Sequence, residues 1–346
     1  MEMTNISGLI GQYQIEPTEI IPITRRVYKV HSHNYTYALK RSRLSAESLK
    51  RWEHVFVQAN QHHLSPILSV YLTRTNKPYI VDQQQIYYLS PWKETKNDDK
   101  PEHELESFFH VIGEIHHKTR QEKSVNLQQV EQYISHEKKK IDEYRKKLLY
   151  HIETFERKRF MSPFELRVCM QYRDIEKAIS LLDEWYDYYL EDMKSDEKVS
   201  ISLCHGNLRR SHQIYQANQT YLINWENTFI GSPIEDLGRY FYQELKYHDA
   251  YIDDVNQAFS VYEKYNPLLA SERSLLAVYL LYPTRYLKII EKYKSQAFRI
   301  SQPFQIKQLE YGYRQLVHGL KIQHHLYQVR QEIKRKEWEA QNDSDD

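Results

Sequence analysis

The sequence predicts an α+β chain built in two lobes, a small strand-rich N-terminal one and a large, mostly helical C-terminal one. Three observations carry this. The first ninety residues hold short apolar, β-branched and aromatic runs around a single helical segment. Beyond Pro101 the apolar residues recur at spacings of three and four almost to the end. A chain of 346 residues is also long enough for two lobes rather than one.

Taken in order, Ile20 to Val30 and Tyr35 to Lys40 read as strands separated by a Ser-His-Asn turn. Residues 45–63 read as a helix, with a Ser45 cap and apolar Leu49, Trp52, Phe56 and Ala59. Further strands are expected at Ile67–Thr73, Pro78–Val81 and Ile86–Leu89. The N-terminal lobe, residues 1–92, closes at Ser90-Pro91-Trp92, and the polar stretch Lys93–Pro101 forms the linker into a helical lobe spanning 93–341. There Leu105, Phe108, Phe109, Ile112 and Ile115 share one helical face, and the adjacent His116 and His117 suit a helix-end cation better than a metal pair. Residues 128–160 spell a long charged helix with Ile134, Ile141, Tyr144, Leu148, Ile152 and Phe155 on one side. A second helix follows with Ile175, Ala178, Ile179, Leu182, Tyr186 and Tyr189, so that about 128–193 reads as a helical insert. It serves either as an amphipathic pair packed on the lobe or as a protein-docking surface. Helices at about 234–264, 271–294 (broken at Tyr282-Pro283-Thr284) and 303–340 complete the lobe, and residues 342–346 form a disordered acidic end.

Composition narrows the function classes. Charged residues make up 27% of the chain, with a formal net charge of +1, so there is no global electrostatic case for nucleic acid or an anionic membrane. The apolar runs fall short of a bilayer span and the N-terminus lacks a signal-peptide layout, which predicts synthesis and retention in a cytosol-like compartment. Cys169 and Cys204 are expected as reduced thiols. Cys204 beside His205 could be read as nucleophile and base, but a buried strand-end thiol fits better. Glycine is scarce, with 8 in all and none between Gly11 and Gly113, whereas tyrosine is abundant at 30.

The densest stretch is Val199 to Leu237. A strand-like run (Val199, Ile201, Leu203) leads into a His205-Gly206 turn, then a hairpin through Ile214-Tyr215 and Tyr221-Leu222-Ile223. Asn224-Trp225-Glu226 follows, then a Gly231-Ser232-Pro233 break and Asp236-Leu237. This order resembles the catalytic and metal-binding loops of the aminoglycoside phosphotransferase and choline kinase-like family. That family's pattern is H-G-D-L-x-x-x-N, a hairpin, I-D-[FW]-[DE] and G-x-P-x-x-D-L. The resemblance implies a bilobal protein kinase-like fold. It makes His205, Gly206 and Asp236 framework residues. Tyr-Ala-Leu-Lys at 37–40 resembles the family's third strand and makes Lys40 a nucleotide-phosphate partner, oriented by Glu47 or Glu53. Trp92 would line the hinge.

The reactive positions depart from the pattern. Asn207 stands where the family has its catalytic Asp, His212 where it has the metal-binding Asn, and Asn224 where it has the second metal-binding Asp. Glu226 is the neighbouring carboxylate that remains. An amide cannot accept a proton, so Asn207 cannot supply the general base, a role contributing about 10²–10⁴-fold. Magnesium asks for hard oxygen ligands, usually one or two carboxylates. Each lost charge forfeits on the order of 4 kcal/mol at about 4 Å and an effective dielectric of about 20. Upstream, Pro22-Ile23-Thr24-Arg25-Arg26-Val27 replaces the glycine-rich turn that a working kinase lays over the phosphates. Arg25, Arg209 and Lys40 could still attract an anion without metal.

The expectation is a pseudokinase with no cofactor; the alternative is an active ATP- and magnesium-dependent phosphotransferase with an atypical metal site. Within the fold, R-R-V-Y-K-V…Y-A-L-K-R, the helical insert and H-G-N-L-R-R-S-H-Q are similar to the CotS-like spore-coat family, YutH-type members included. That similarity implies synthesis in the mother-cell cytoplasm, assembly into the spore coat and spore-coat proteins as partners.

Overall fold

The structure, a computed structural model, describes residues 2–96, 99–247, 251–296 and 300–342. In chain order the elements are α1 (Glu2–Gly11), β1 (Glu19–Thr24), β2 (Val27–Ser32), β3 (Tyr35–Ser42), α2 (Ala46–Gln61), β4 (Ile80–Asp82), β5 (Gln85–Pro91), α3 (Glu104–Lys118), β6 (Gln121–Ser124), α4 (Leu127–Glu156) and α5 (Pro163–Asp196). There follow β7 (Lys198–Cys204), β8 (Gln213–Gln216), β9 (Gln219–Leu222), β10 (Phe229–Gly231), α6 (Pro233–Glu244), α7 (Ile252–Tyr265), α8 (Ala270–Leu281), α9 (Thr284–Gln296) and α10 (Gln302–Asn342). The fold class is α+β, a small antiparallel sheet lobe with a large helical part. The chain divides into two compact units, Met1–Arg120 with Ser202–Gly231, and Gln121–Ile201 with Ser232–Asp346.

In the first unit an antiparallel sheet runs in the order β1-β2-β3-β5-β4. The β1–β2 hairpin turns at Arg25-Arg26, where the Thr24 hydroxyl accepts the backbone N–H of Arg26 (3.2 Å) and of Val27 (3.1 Å). One face of the sheet, through Val30, Tyr37, Leu39 and Leu89, buries Ile6, Leu9 and Ile10 of α1. That helix is absent from the sequence expectation. It carries Gly8 and Gly11, each weakening a helix interior, and forms because its apolar stripe covers the sheet. α2 starts as expected on Ser45, whose side chain and Ser48 cap each other's backbone N–H groups.

Two N-terminal expectations need correction. Residues 67–73 are not a ladder-forming strand: Ile67 makes an isolated bridge to Leu222, and the Tyr71 N–H bonds once to the Leu89 carbonyl (2.8 Å). β3 takes one edge of β5 over Ile86–Pro91 and β4 takes the other over Gln85–Tyr87; beyond β4 the stretch meets that second edge through the Tyr71–Leu89 bond rather than a ladder. The strand expected at 78–81 is the short edge strand β4, starting at Ile80. Residues 97 and 98 of the expected linker lie outside the described residues.

The second unit is a helical body in which α5 packs against α8, α4 and α10. α5 begins where Ser162, Pro163 and Glu165 form a capping box with proline in the first turn. It buries Phe164, Val168, Ile175, Ile179, Leu182 and Trp185. α10 approaches α8 so closely that a Cβ on Gly319 would lie 2.4 Å from the Leu280 carbonyl oxygen, so only glycine fits there. β6, another element without a sequence signal, pairs its four polar residues with Lys198–Ile201 of β7. The helix expected over 234–264 is two helices, α6 ending at Glu244 and α7 starting at Ile252. The break at Tyr282-Pro283 is present between α8 and α9. The acidic end expected at 342–346 falls, after Asn342, outside the described residues.

Candidate functional site

The site is assembled from β3, α2, β5 and the loops between β7 and β10, all in the first unit. β7 delivers His205, fully buried, to a turn at Gly206. Gly206 has φ of +76°, and a Cβ there would sit 1.9 Å from the Asn227 carbonyl oxygen. No other residue can hold the two loops this close. His205 Nδ1 accepts the Asn207 backbone N–H (3.2 Å), so the proton resides on Nε2, which donates to the Ile223 carbonyl (2.9 Å). Both ring nitrogens are thereby used, and His205 is unable to act as a base for Cys204. Cys204 is a buried thiol whose Sγ lies 3.4 Å from the Gly231 carbonyl oxygen. The Trp225 indole N–H donates to the Leu222 carbonyl (2.9 Å), and the ring centroid stands 4.7 Å from that of His205. The Thr228 hydroxyl closes the frame on the Cys204 carbonyl (2.8 Å).

On this frame sit the altered positions. The Asn207 side-chain carbonyl accepts the Arg209 Nε–H (2.9 Å), and its backbone carbonyl accepts the Nδ1–H of His212 (2.9 Å). Burial, with the neighbouring His205, Arg209 and Lys40, lowers the His212 pKa to about 4, so its ring is neutral near pH 7. Asn224 is held in the left-handed conformation (φ 68°, ψ 46°), which an Asn tolerates better than most residues.

Lys40, in register opposite Tyr88, donates to the Asn224 side-chain carbonyl and pairs with the Glu226 carboxylate at 2.8 Å. The Tyr88 hydroxyl donates to the same carboxylate (3.2 Å), and the Lys40 ammonium stands 5.6 Å from the Tyr88 ring centroid. Burial pulls the Lys40 pKa below the ordinary lysine value; Glu226 opposes this and Arg26 adds to it. Burial, then Glu226, pushes the Tyr88 phenol well above its usual range. The donor set beside Lys40 is therefore one carboxylate already ion-paired, one amide and one neutral imidazole.

A cavity of about 200 Å³ adjoins Lys40, walled by Val27, Ala38, Trp52, Phe56, Tyr88, Trp92, Asn224 and Trp225. Its apolar lining suits a flat ring system rather than an ion. Trp92 contributes from the expected hinge, its indole N–H on Glu94 (3.3 Å) and its ring 5.1 Å beneath the Lys29 ammonium.

Some expected residues are elsewhere. Neither Glu47 nor Glu53 orients Lys40. Glu47 is exposed in the first turn of α2 and Glu53 is half-buried, while Trp52 and Phe56 are the α2 side chains that reach the cavity. Arg25 is exposed on the β1–β2 turn, and Asp236 is buried in the first turn of α6, in the second unit; Arg209 is exposed but stays in the site through its bond to Asn207. Sequence reasoning missed Tyr88, Trp52 and Phe56 as site residues. The period-two placement of Tyr88 with Ser90 on the cavity side of β5 was the available signal.

No family model matches the chain, and no curated relative does. Solved structures do. An aminoglycoside phosphotransferase from Alicyclobacillus acidocaldarius superposes with a TM-score of 0.70 at 14% identity, covering 93% of this chain and 95% of that one. Spectinomycin phosphotransferase bound to AMP gives 0.55 at 12% identity, over 92% of this chain and 98% of that one. An amicoumacin kinase gives 0.54 at 14% identity, over 91% and 92%. At such identities the likeness speaks for the fold alone: the chain has the protein kinase-like fold of the aminoglycoside phosphotransferases.

Proposed function

We propose that this chain is a pseudokinase, a kinase-like protein that acts by binding rather than by phosphoryl transfer, and that it works as a scaffold in the bacterial spore coat during sporulation. The observation that carries the first part is the closed set Lys40–Glu226–Asn224. The lysine that would meet phosphates is engaged by the carboxylate that would otherwise be free for a cation. Magnesium binding needs uncommitted anionic oxygen. Here Glu226 is ion-paired with Lys40 through Oε1, Asn224 offers a single neutral carbonyl that Lys40 already occupies, and His212 offers nitrogen. Asn207 has no basic oxygen to take a proton from an acceptor hydroxyl. The residues fit a magnesium–nucleotide complex poorly.

Thermal unfolding with and without ATP and magnesium tests this. No magnesium-dependent shift is expected. A ligand bound at 100 times its Kd would add about 2.7 kcal/mol, and a rise of that size would overturn the reading. The second reading, an active phosphotransferase with an atypical metal site, has in its favour the fold and the retained Lys40 and Glu226 beside an apolar cavity. ATP turnover abolished by both Lys40→Ala and Glu226→Ala would establish it instead.

The spore-coat assignment is supported by the sequence similarity at residues 25–41 and 205–213 together with the helical insert at about 128–193. A fluorescent fusion in sporulating cells should ring the developing spore, with spore-coat proteins as partners. Uniform fluorescence of the mother cell would remove that part and leave the site chemistry untouched.

A further inference from the structure

The α4–α5 end of the helical unit keeps large apolar side chains in solvent. Phe160, in the connection 157–162, is 81% exposed, and Leu166 and Met170 of α5 are 51% and 67% exposed. The last two are four residues apart and share one face of the helix. Isolated exposed apolar residues need no explanation, but this group has two further features.

The first is that the connection is braced. The Ser162 N–H donates to Glu165 Oε2 (2.9 Å), and the Lys158 ammonium reaches Oε1 of the same buried carboxylate (2.5 Å). The Ser162 hydroxyl meets the Tyr293 hydroxyl (2.8 Å), whose ring stacks on Phe164 at 4.0 Å. Phe160 is therefore displayed on a connection that is braced on either side of it, at Lys158 and at Ser162.

The second is the company of cations. The Arg159 guanidinium lies 5.4 Å from the Phe160 ring centroid, and the Lys294 ammonium 4.6 Å from that of exposed Tyr150. Arg157 and Arg167 are exposed beside them. Of the nearby carboxylates, Glu165 is buried and held by Lys158, Glu153 is 3.5 Å from Arg157, Glu310 is 3.8 Å from Arg167, Glu291 is 3.5 Å from Lys147, and Glu156 is exposed; against Glu153, Glu156 and Glu291 stand exposed Arg157, Lys158, Arg159, Arg167 and Lys294. The end is positive in its exposed charge even though the whole chain is balanced.

We infer that this end of the helical unit docks peripherally on an anionic lipid surface, with Phe160, Leu166 and Met170 entering the boundary between headgroups and acyl chains and the arginines lying among the phosphates. Aromatic and aliphatic side chains flanked by Arg and Lys are the composition that such a boundary accepts. A lipid surface is flat and negative, and asks for no complementary pocket. A braced display also loses little freedom on docking. The inference is independent of the Lys40 site.

Sedimentation of the full chain with vesicles of phosphatidylcholine mixed with phosphatidylglycerol, against phosphatidylcholine alone, tests it. Binding to the anionic vesicles is expected, weakening as salt is raised. Phe160→Ser and Arg159→Glu, both on the surface and expected to leave the melting temperature unchanged, should each reduce it by roughly tenfold. Trp338→Ser, which removes an exposed aromatic near the end of α10, should not. No binding, equal binding to neutral vesicles, or equal loss with Trp338→Ser would overturn the inference. Self-association in size-exclusion chromatography that Phe160→Ser abolishes would overturn it too, by assigning the patch to a second copy of the chain.

Discussion

Lys40 illustrates how far residue identity reaches without distance. Its place on a strand and the family resemblance nominate it, and Asn207, His212 and Asn224 are visible as departures from a pattern. Its partner is not visible, because Glu226 is remote in sequence and the two α2 carboxylates are equally plausible by spacing. Both side chains of the pair are more than four-fifths buried. Replacing Glu226 with Gln leaves a buried ammonium without its counter-charge and should cost about 3 kcal/mol. Lys40→Met combined with Glu226→Gln should recover most of that loss, as measured by urea unfolding. Additive losses would mean that the pair is not coupled. His212 gives a pH prediction. Its pKa falls from 6.5 to about 4 on folding, so the folded chain binds fewer protons than the unfolded one between those values. Its contribution is intact above pH 6.5 and drains away as pH drops towards 4. His212→Asn should flatten the acid side of the stability profile, and an unchanged profile would contradict the burial argument.

Elements were legible where pattern and cap agree. α2 with Ser45, the two long helices α4 and α5, and the break at Pro283 follow from spacing, capping and the missing proline donor. α1 and the stretch 67–73 were not legible for opposite reasons. α1 is short and carries two glycines, and tertiary cover supplies what propensity withholds. Residues 67–73 have strand-like composition, yet they meet β5 through the single Tyr71–Leu89 bond and form no ladder there. Ile10, fully buried against the sheet, tests the first of these. Ile10→Ala should lower stability by about 3 kcal/mol. A change below about 0.5 kcal/mol would mean that α1 is detached in solution.

At the scale of the whole molecule, totals conceal placement. The net charge of +1 gave no reason to expect an anionic partner, yet exposed cations gather at the α4–α5 end. Helix-rich content and the α+β class came through composition and period alone. The division into two compact units that each combine distant segments did not, since contacts between segments far apart in sequence leave no local trace. With an isoelectric point near 7.8, solubility should be least around that pH and rise on either side. Precipitation by polyethylene glycol across a pH series measures this, and a minimum well below pH 7 would mean that buried groups shift the balance.

The walls of the small chamber beside Lys40 include Trp52, Trp92 and Trp225, three of the five indoles in the chain. Three of the protein's five indole fluorophores therefore face one space. Any molecule that settles there changes the surroundings of those fluorophores, so a compound collection can be screened on the unlabelled protein by intensity and wavelength alone. The native chain is its own optical sensor, whatever its occupant proves to be.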